Sequence, residues 1–177
     1  MAGNSQVKAA VFLAIALFFC ASTASADPAG AEQIDQLKKL GAGIALDAGK
    51  RVIGVNLGER KVADADLIHL QRLKYLQELD LTRTKITSKG LEYIKDLTKL
   101  KKLFLTDTKV DASGIVQLKG LKALEVLGLS GTKVGDTALE HLQEMTGLKQ
   151  VFCIGTGVSD AGVEKFRKKL PKCLIAN

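Results

Sequence analysis

From Val52 onward, apolar and polar positions fall in a pattern that returns every 24 residues. A full copy runs from Leu76 to Leu97, LQELDLTRTKITSKGLEYIKDL. Paired apolar positions recur at Val55/Leu57, Leu79/Leu81, Leu103/Leu105, Leu127/Leu129 and Val151/Cys153. A second column holds Val62, Ile86, Val110, Val134 and Val158, and a third holds Leu67, Leu91, Ile115, Leu139 and Val163. A threonine recurs at Thr84, Thr108, Thr132 and Thr156; Arg60 fills that slot one step upstream. Such a fixed register over five copies predicts a repeat array.

Within a copy, the alternation Leu79-Asp80-Leu81 suits a short strand with two residues facing inward. Leu91, Ile94 and Leu97 are three apart, which suits a short helix of about two turns. Thr87 or Asp111 is placed to accept from the free N–H groups at a helix start. Each unit therefore reads strand, turn, helix, turn. One unit buries too few apolar side chains to offset the ordering of its own backbone, so units must stack. Stacking lines the strands into a parallel sheet and puts the helices on the other side.

The ends depart from the repeat. Residues 31–40, AEQIDQLKKL, form an amphipathic helix pattern with Ile34, Leu37 and Leu40 on one face. Residues 44–46, a turn at 47–50 and residues 52–57 read as a hairpin that feeds the first repeat. This segment is predicted to cover the open end of the array. At the other end a helix is predicted over 162–170. There Lys169 replaces the apolar residue found at Leu73, Leu97, Leu121 and Met145, which marks an atypical last unit. Pro171 stops that helix, and Leu174-Ile175 reads as a closing strand.

The pattern LxxLxLxxTxITxxGLxxLxxL resembles a leucine-rich repeat, in particular the cysteine-containing subclass. That subclass places Cys or Asn where this chain has its threonines; secreted bacterial leucine-rich-repeat proteins are similar in using threonine there. The resemblance covers roughly residues 52–177. It implies an α/β fold, a right-handed solenoid with a parallel sheet on the concave side and short helices on the convex side. It also implies a non-enzymatic interaction module with a protein partner. A threonine column is able to bond to loop backbone, as an asparagine ladder would.

Upstream of the repeats, Lys8 is followed by an apolar run and then by Ala24-Ser25-Ala26, the layout of a secretory signal peptide. The run falls short of the roughly 20 residues that span a bilayer. Phe18-Phe19 precede Cys20, where a lipoprotein signal would carry a small residue. The expected organisation is a signal peptide at 1–26, a capping helix and hairpin at 27–51, five repeats at 52–171 and a closing strand at 172–177. Export to the periplasm or the extracellular space follows, with no stable membrane anchor. The formal net charge is +7.

Catalytic chemistry finds no foothold in the motifs. His69 and His141 share a column three repeats apart, too far to hold one metal ion. No H-x-x-x-H, C-x-x-C, G-x-S-x-G or phosphate-binding glycine loop occurs. No cofactor or metal is expected. Gly90, Gly114 and Gly162 recur with the period and read as close-packing positions. Cys153 falls in an inward column as a buried thiol. Cys173 lies four residues from the slot beside it, so a disulfide would need a shifted register.

Two surfaces are candidates for binding. The first is the concave sheet face, whose middle column reads Asn56, Asp80, Phe104, Gly128, Phe152. Its C-terminal half places Phe104, Val126, Phe152 and Ile154 toward water, with Gly128 as the expected floor of a slot between two aromatic walls. Exposed aromatics of this kind dominate interface energies. The second is a column of Lys61, Lys85, Lys109 and Lys133, a basic ridge suited to an anionic envelope polymer. Glu59 and Asp107 lie near enough to offset it. Nucleic acid is not expected, because the chain reads as exported and aromatics do not interleave with the ridge.

Overall fold

A computed structural model of the chain describes residues 28–177. The expected signal peptide lies outside the described residues. Helix α1 spans Pro28–Lys39. Strands β1 (Gly43–Leu46) and β2 (Val52–Asn56) follow as an antiparallel hairpin, its turn held by the Asp47 carboxylate on Arg51. The remaining strands are β3 (Glu78–Asp80), β4 (Lys102–Phe104), β5 (Val126–Gly128), β6 (Gln150–Phe152) and β7 (Leu174–Ala176). All seven join one sheet in chain order.

From β2 onward every pairing is parallel, and the register follows the 24-residue step. Leu79 lies beside Val55 on one side and Leu103 on the other. Leu127, Val151 and Ile175 continue the row. Each of these positions is buried and belongs to one continuous core. Leu37 of α1 is fully buried at the N-terminal end and belongs to the same core.

The convex segments differ from the expected pair of turns. In the first two repeats they are 3-10 helices, Asp64–Leu70 and Gly90–Ile94. Their inward residues are three apart, the period of a 3-10 turn. The later repeats carry α2 (Ala112–Gln117), α3 (Asp136–Leu142) and α4 (Asp160–Lys169). Asp111 caps α2, its carboxylate accepting from the Ser113 N–H at 2.9 Å. The Gly90–Ile94 helix starts at Lys89, which has no side-chain cap of its own, and the Thr87 hydroxyl accepts from the Lys89 N–H at 3.3 Å. The same hydroxyl donates to Asp64 of the preceding repeat.

That bond belongs to a set of polar staples between neighbouring repeats. Asp64 holds Thr87, Ser88 and Asp111 hold each other, and Asp136 holds Ser159. The recurring glycines make room for them. A side chain on Gly90, Gly114 or Gly162 would run into Asp64, Ser88 or Asp136 respectively. The threonine column has a matching inward role: Thr84, Thr108, Thr132 and Thr156 donate to the carbonyl three residues back, at 2.5–2.7 Å.

Candidate functional site

The concave face is set by the strands. Residues flanking each inward pair stand out of the sheet, and parallel pairing stacks them into columns. The middle column runs Asn56, Asp80, Phe104, Gly128, Phe152 and Ala176, in register. The column before it runs Gly54, Glu78, Lys102, Val126, Gln150 and Leu174.

The expected slot over Gly128 is filled. Gly128 is buried, and a Cβ built there would meet the Phe104 ring at 3.0 Å. Phe104 therefore leans toward the next repeat and covers the glycine floor instead of walling it. Phe104 and Val126 are half-buried for the same reason, against the expectation that both are exposed. Phe152 and Ile154 do stand out, at 37% and 57% exposure. Leu174 on β7 extends them at 70%, a residue that column reading passed over. Its signal was present: Ile175 is one period after Val151, so Leu174 continues the Val126 column.

The N-terminal half of the face is hollow, with polar side chains Asn56, Glu78 and Asp80 beside an apolar lining that includes Ile44. Gly54 and Gly43 contribute no side chain, leaving a depression of about 440 Å³ bounded by Ala45, Asn56, Glu78, Asp80 and, at its far wall, Phe104. At its margin Asp80 accepts from the Thr82 N–H at 2.9 Å, and Lys102 pairs with Glu78 at 2.6 Å across the strands.

The four ridge lysines are exposed, and none makes an ion pair among the described residues. Their backbone forms a second short ladder, with Lys85, Lys109 and Lys133 each donating to the repeat before. The acids beside them are otherwise engaged. Glu59 and Asp107 both pair with Arg83, at 2.8 and 3.4 Å. The flank as a whole is close to neutral: segments 57–65, 81–89, 105–113, 129–137 and 153–161 carry seven Lys/Arg against six Asp/Glu.

Neither cysteine of the described residues is an activated thiol. Burial pushes the Cys153 thiol up to about 11, away from the thiolate form. Cys173 is raised in the same direction by the same cause. Both are free thiols, as the four-residue offset implies. His69 sits in the 3-10 helix Asp64–Leu70 and His141 in α3, on separate repeats.

Residues 72–95 match the family model described as Leucine Rich repeat. No curated protein matches the chain. Among solved structures, the chain is similar to an internalin (inlF) from Listeria monocytogenes at 26% identity and a TM-score of 0.62, over 72% of this chain and 35% of that one. It is also similar to a leucine-rich-repeat protein of Leptospira interrogans at 19% identity and a TM-score of 0.51, over 71% of this chain and 37% of that one. A BIR3–SERK2 complex from Arabidopsis thaliana matches at 21% identity and a TM-score of 0.50, over 67% of this chain and 64% of that one. The chain thus spans about a third of the length of either bacterial structure.

Proposed function

From the premise that the chain is built of leucine-rich repeats, we infer that it is an exported, non-enzymatic module that binds a protein partner through its concave face. Leucine-rich-repeat scaffolds generally serve protein–protein recognition. The observation that carries the concave-face assignment is the apolar strip at the C-terminal end: Phe152, Ile154 and Leu174 are exposed on a sheet face whose N-terminal half carries Asn56, Glu78 and Asp80. Exposed aliphatic and aromatic side chains in one contiguous strip mark an interaction surface better than scattered ones do. Phe104 and Val126, half-buried, form the strip's inner margin, with Gly128 beneath the Phe104 ring.

Export is supported by the signal-like segment at 1–26. Among the described residues, no helix is long and apolar enough to cross a membrane. A protein partner purified from the envelope or medium should lose affinity for the Phe152→Ser/Ile154→Ser double variant by about tenfold or more, since interface anchors are worth 2 kcal/mol or more each. Unchanged affinity in a variant with the parent's thermal midpoint would remove the concave face from consideration. An anionic polymer remains the second reading of this chain. The near-neutral ridge flank argues for looking elsewhere on the molecule for its seat.

A further inference from the structure

The positive charge of this protein is concentrated on the flank opposite the lysine ridge. That flank is built from the end of each helical segment and the stretch that returns to the next strand, together with the β1–β2 turn. These segments are stacked rung on rung: Gln77 donates to Ile53, Lys101 to Gln77, Glu125 to Lys101, Lys149 to Glu125 and Leu174 to Lys149. Residues 47–51, 71–77, 95–101, 119–125, 143–149 and 167–173 carry fourteen Lys/Arg against four acids, Asp47, Asp96, Glu125 and Glu144. The rest of the described chain carries eleven Lys/Arg against fourteen Asp/Glu. One flank therefore holds more than the whole net charge.

The densest part surrounds Tyr75. Its ring is 42% exposed and takes the Arg51 guanidinium at 4.4 Å and the Lys99 ammonium at 4.2 Å from its centroid. The two cations come from the positions one step before and one step after Tyr75. Around them Lys50, Arg72, Lys74, Lys101 and Lys122 are all exposed and make no ion pair among the described residues. Like charges on adjacent rungs repel, so a cluster of this kind costs stability. The aromatic ring offsets part of that cost and lies against two of the cations, of which Arg51 is also paired with Asp47 at 2.6 Å.

We propose that this flank, centred on the Arg51–Tyr75–Lys99 stack, is a binding surface for a linear carboxylated polysaccharide. The rungs present cations at steps of about 4.8 Å, comparable to the spacing of carboxylates that recur once per sugar. The ring carries cations from the repeats on both sides and is not left open as a platform for a nucleic-acid base. Between their lysines the flank segments carry Gln, Thr, Gly and Ala, and the exposed Leu46 and Leu174 lie outside them at opposite ends of the sheet, too far apart to form one apolar wedge for a lipid surface. The stack sits beside β2, β3 and β4 and the concave strip beside β6 and β7, so a protein and a polysaccharide would bind without competing.

The test compares two triple variants with the same net charge. Lys74→Glu/Lys99→Glu/Lys101→Glu alters this flank, and Lys85→Glu/Lys109→Glu/Lys133→Glu alters the ridge. Polygalacturonate binding at low salt is measured by calorimetry, with dextran as the neutral control. The flank variant should bind at least about tenfold more weakly, the ridge variant within about threefold of the parent, and the parent's affinity should fall steeply with added salt. Equal losses in both variants, no binding by the parent, or tighter binding to a DNA duplex or to phosphatidylglycerol vesicles would each overturn the proposal. If the flank variant fails to melt like the parent, the corresponding triple Lys→Gln variant gives the same reading with a smaller change in charge.

Discussion

At the scale of single residues, buried polar positions hold the turns while a few exposed ones carry strain. The Thr108 hydroxyl donates to the Leu105 carbonyl at 2.7 Å while Thr108 itself is only 5% exposed. Thr108→Val keeps the shape and orphans that carbonyl. It should lower stability by about 1–2 kcal/mol in chemical denaturation, and the same change at exposed Thr98 should cost almost nothing. A second column, Glu59, Arg83, Asp107, Gly131 and Gly155, lies in the left-handed backbone region at φ between 55° and 69°. Arg83 adopts φ 56° there and in return makes two exposed ion pairs. Left-handed backbone costs a side-chain-bearing residue about 1 kcal/mol, and exposed pairs contribute less than that. Arg83→Gly should therefore be neutral or stabilising by up to about 1 kcal/mol. A marked loss of stability would show that the Glu59–Arg83–Asp107 triad is stronger than its exposure suggests.

At the scale of elements, the two ends of the sheet are finished differently. The N-terminal end is covered by α1 and the antiparallel strand β1, with Leu37 fully buried. The C-terminal end stops at β7, an edge strand whose own residues carry no charge. Its protection comes from α4: the Arg167 guanidinium donates to the Ile175 carbonyl at 3.3 Å. An edge carbonyl satisfied in this way is withdrawn from pairing with another chain. Arg167→Ala should leave the monomer folded but promote concentration-dependent association, visible by light scattering. Unaltered scattering at high concentration would mean that Arg167 is not what protects the edge.

At the scale of the whole molecule, stability is a sum of interfaces between repeats, and the polar staples are among the terms. Hydrogen bonds from Ser113 and Ser88 hold the Asp111 carboxyl below its ordinary range, and those from Ser159 do the same for Asp136. A carboxyl depressed in the folded state stabilises the protein above its unfolded pKa, and that stability is lost as pH falls through the folded value. Stability should thus decline on acidification below about pH 4. Asp111→Asn should be less stable than the parent at pH 7 and should lose less on going to pH 3. Parallel curves for the two proteins would remove Asp111 from the acid response. The same scale separates the surfaces: apolar strip on the concave face, cations on one flank, balanced charge on the other.

The 24-residue period by itself determined the fold of the repeats. It placed Leu79 between Val55 and Leu103, put Ile175 in the closing row, ruled out an in-register Cys153–Cys173 bridge and assigned the recurring glycines to close packing. Such features follow from backbone spacing and from which side chains must leave water, and both are written in the order of residues. What only the tertiary structure decided depends on how side chains tilt and on what lies across a turn. Phe104 falls across Gly128 and closes the expected slot, because a glycine leaves room that a neighbouring ring fills. Thr87 donates to Asp64 as well as accepting from its own helix start, because the partner on the preceding repeat is a carboxylate. The lysine ridge, prominent as a column, is balanced by acids from adjacent columns, and the charge excess appears on the opposite flank. Electrostatic fields add over everything within reach, and what is within reach is settled only when the chain is folded.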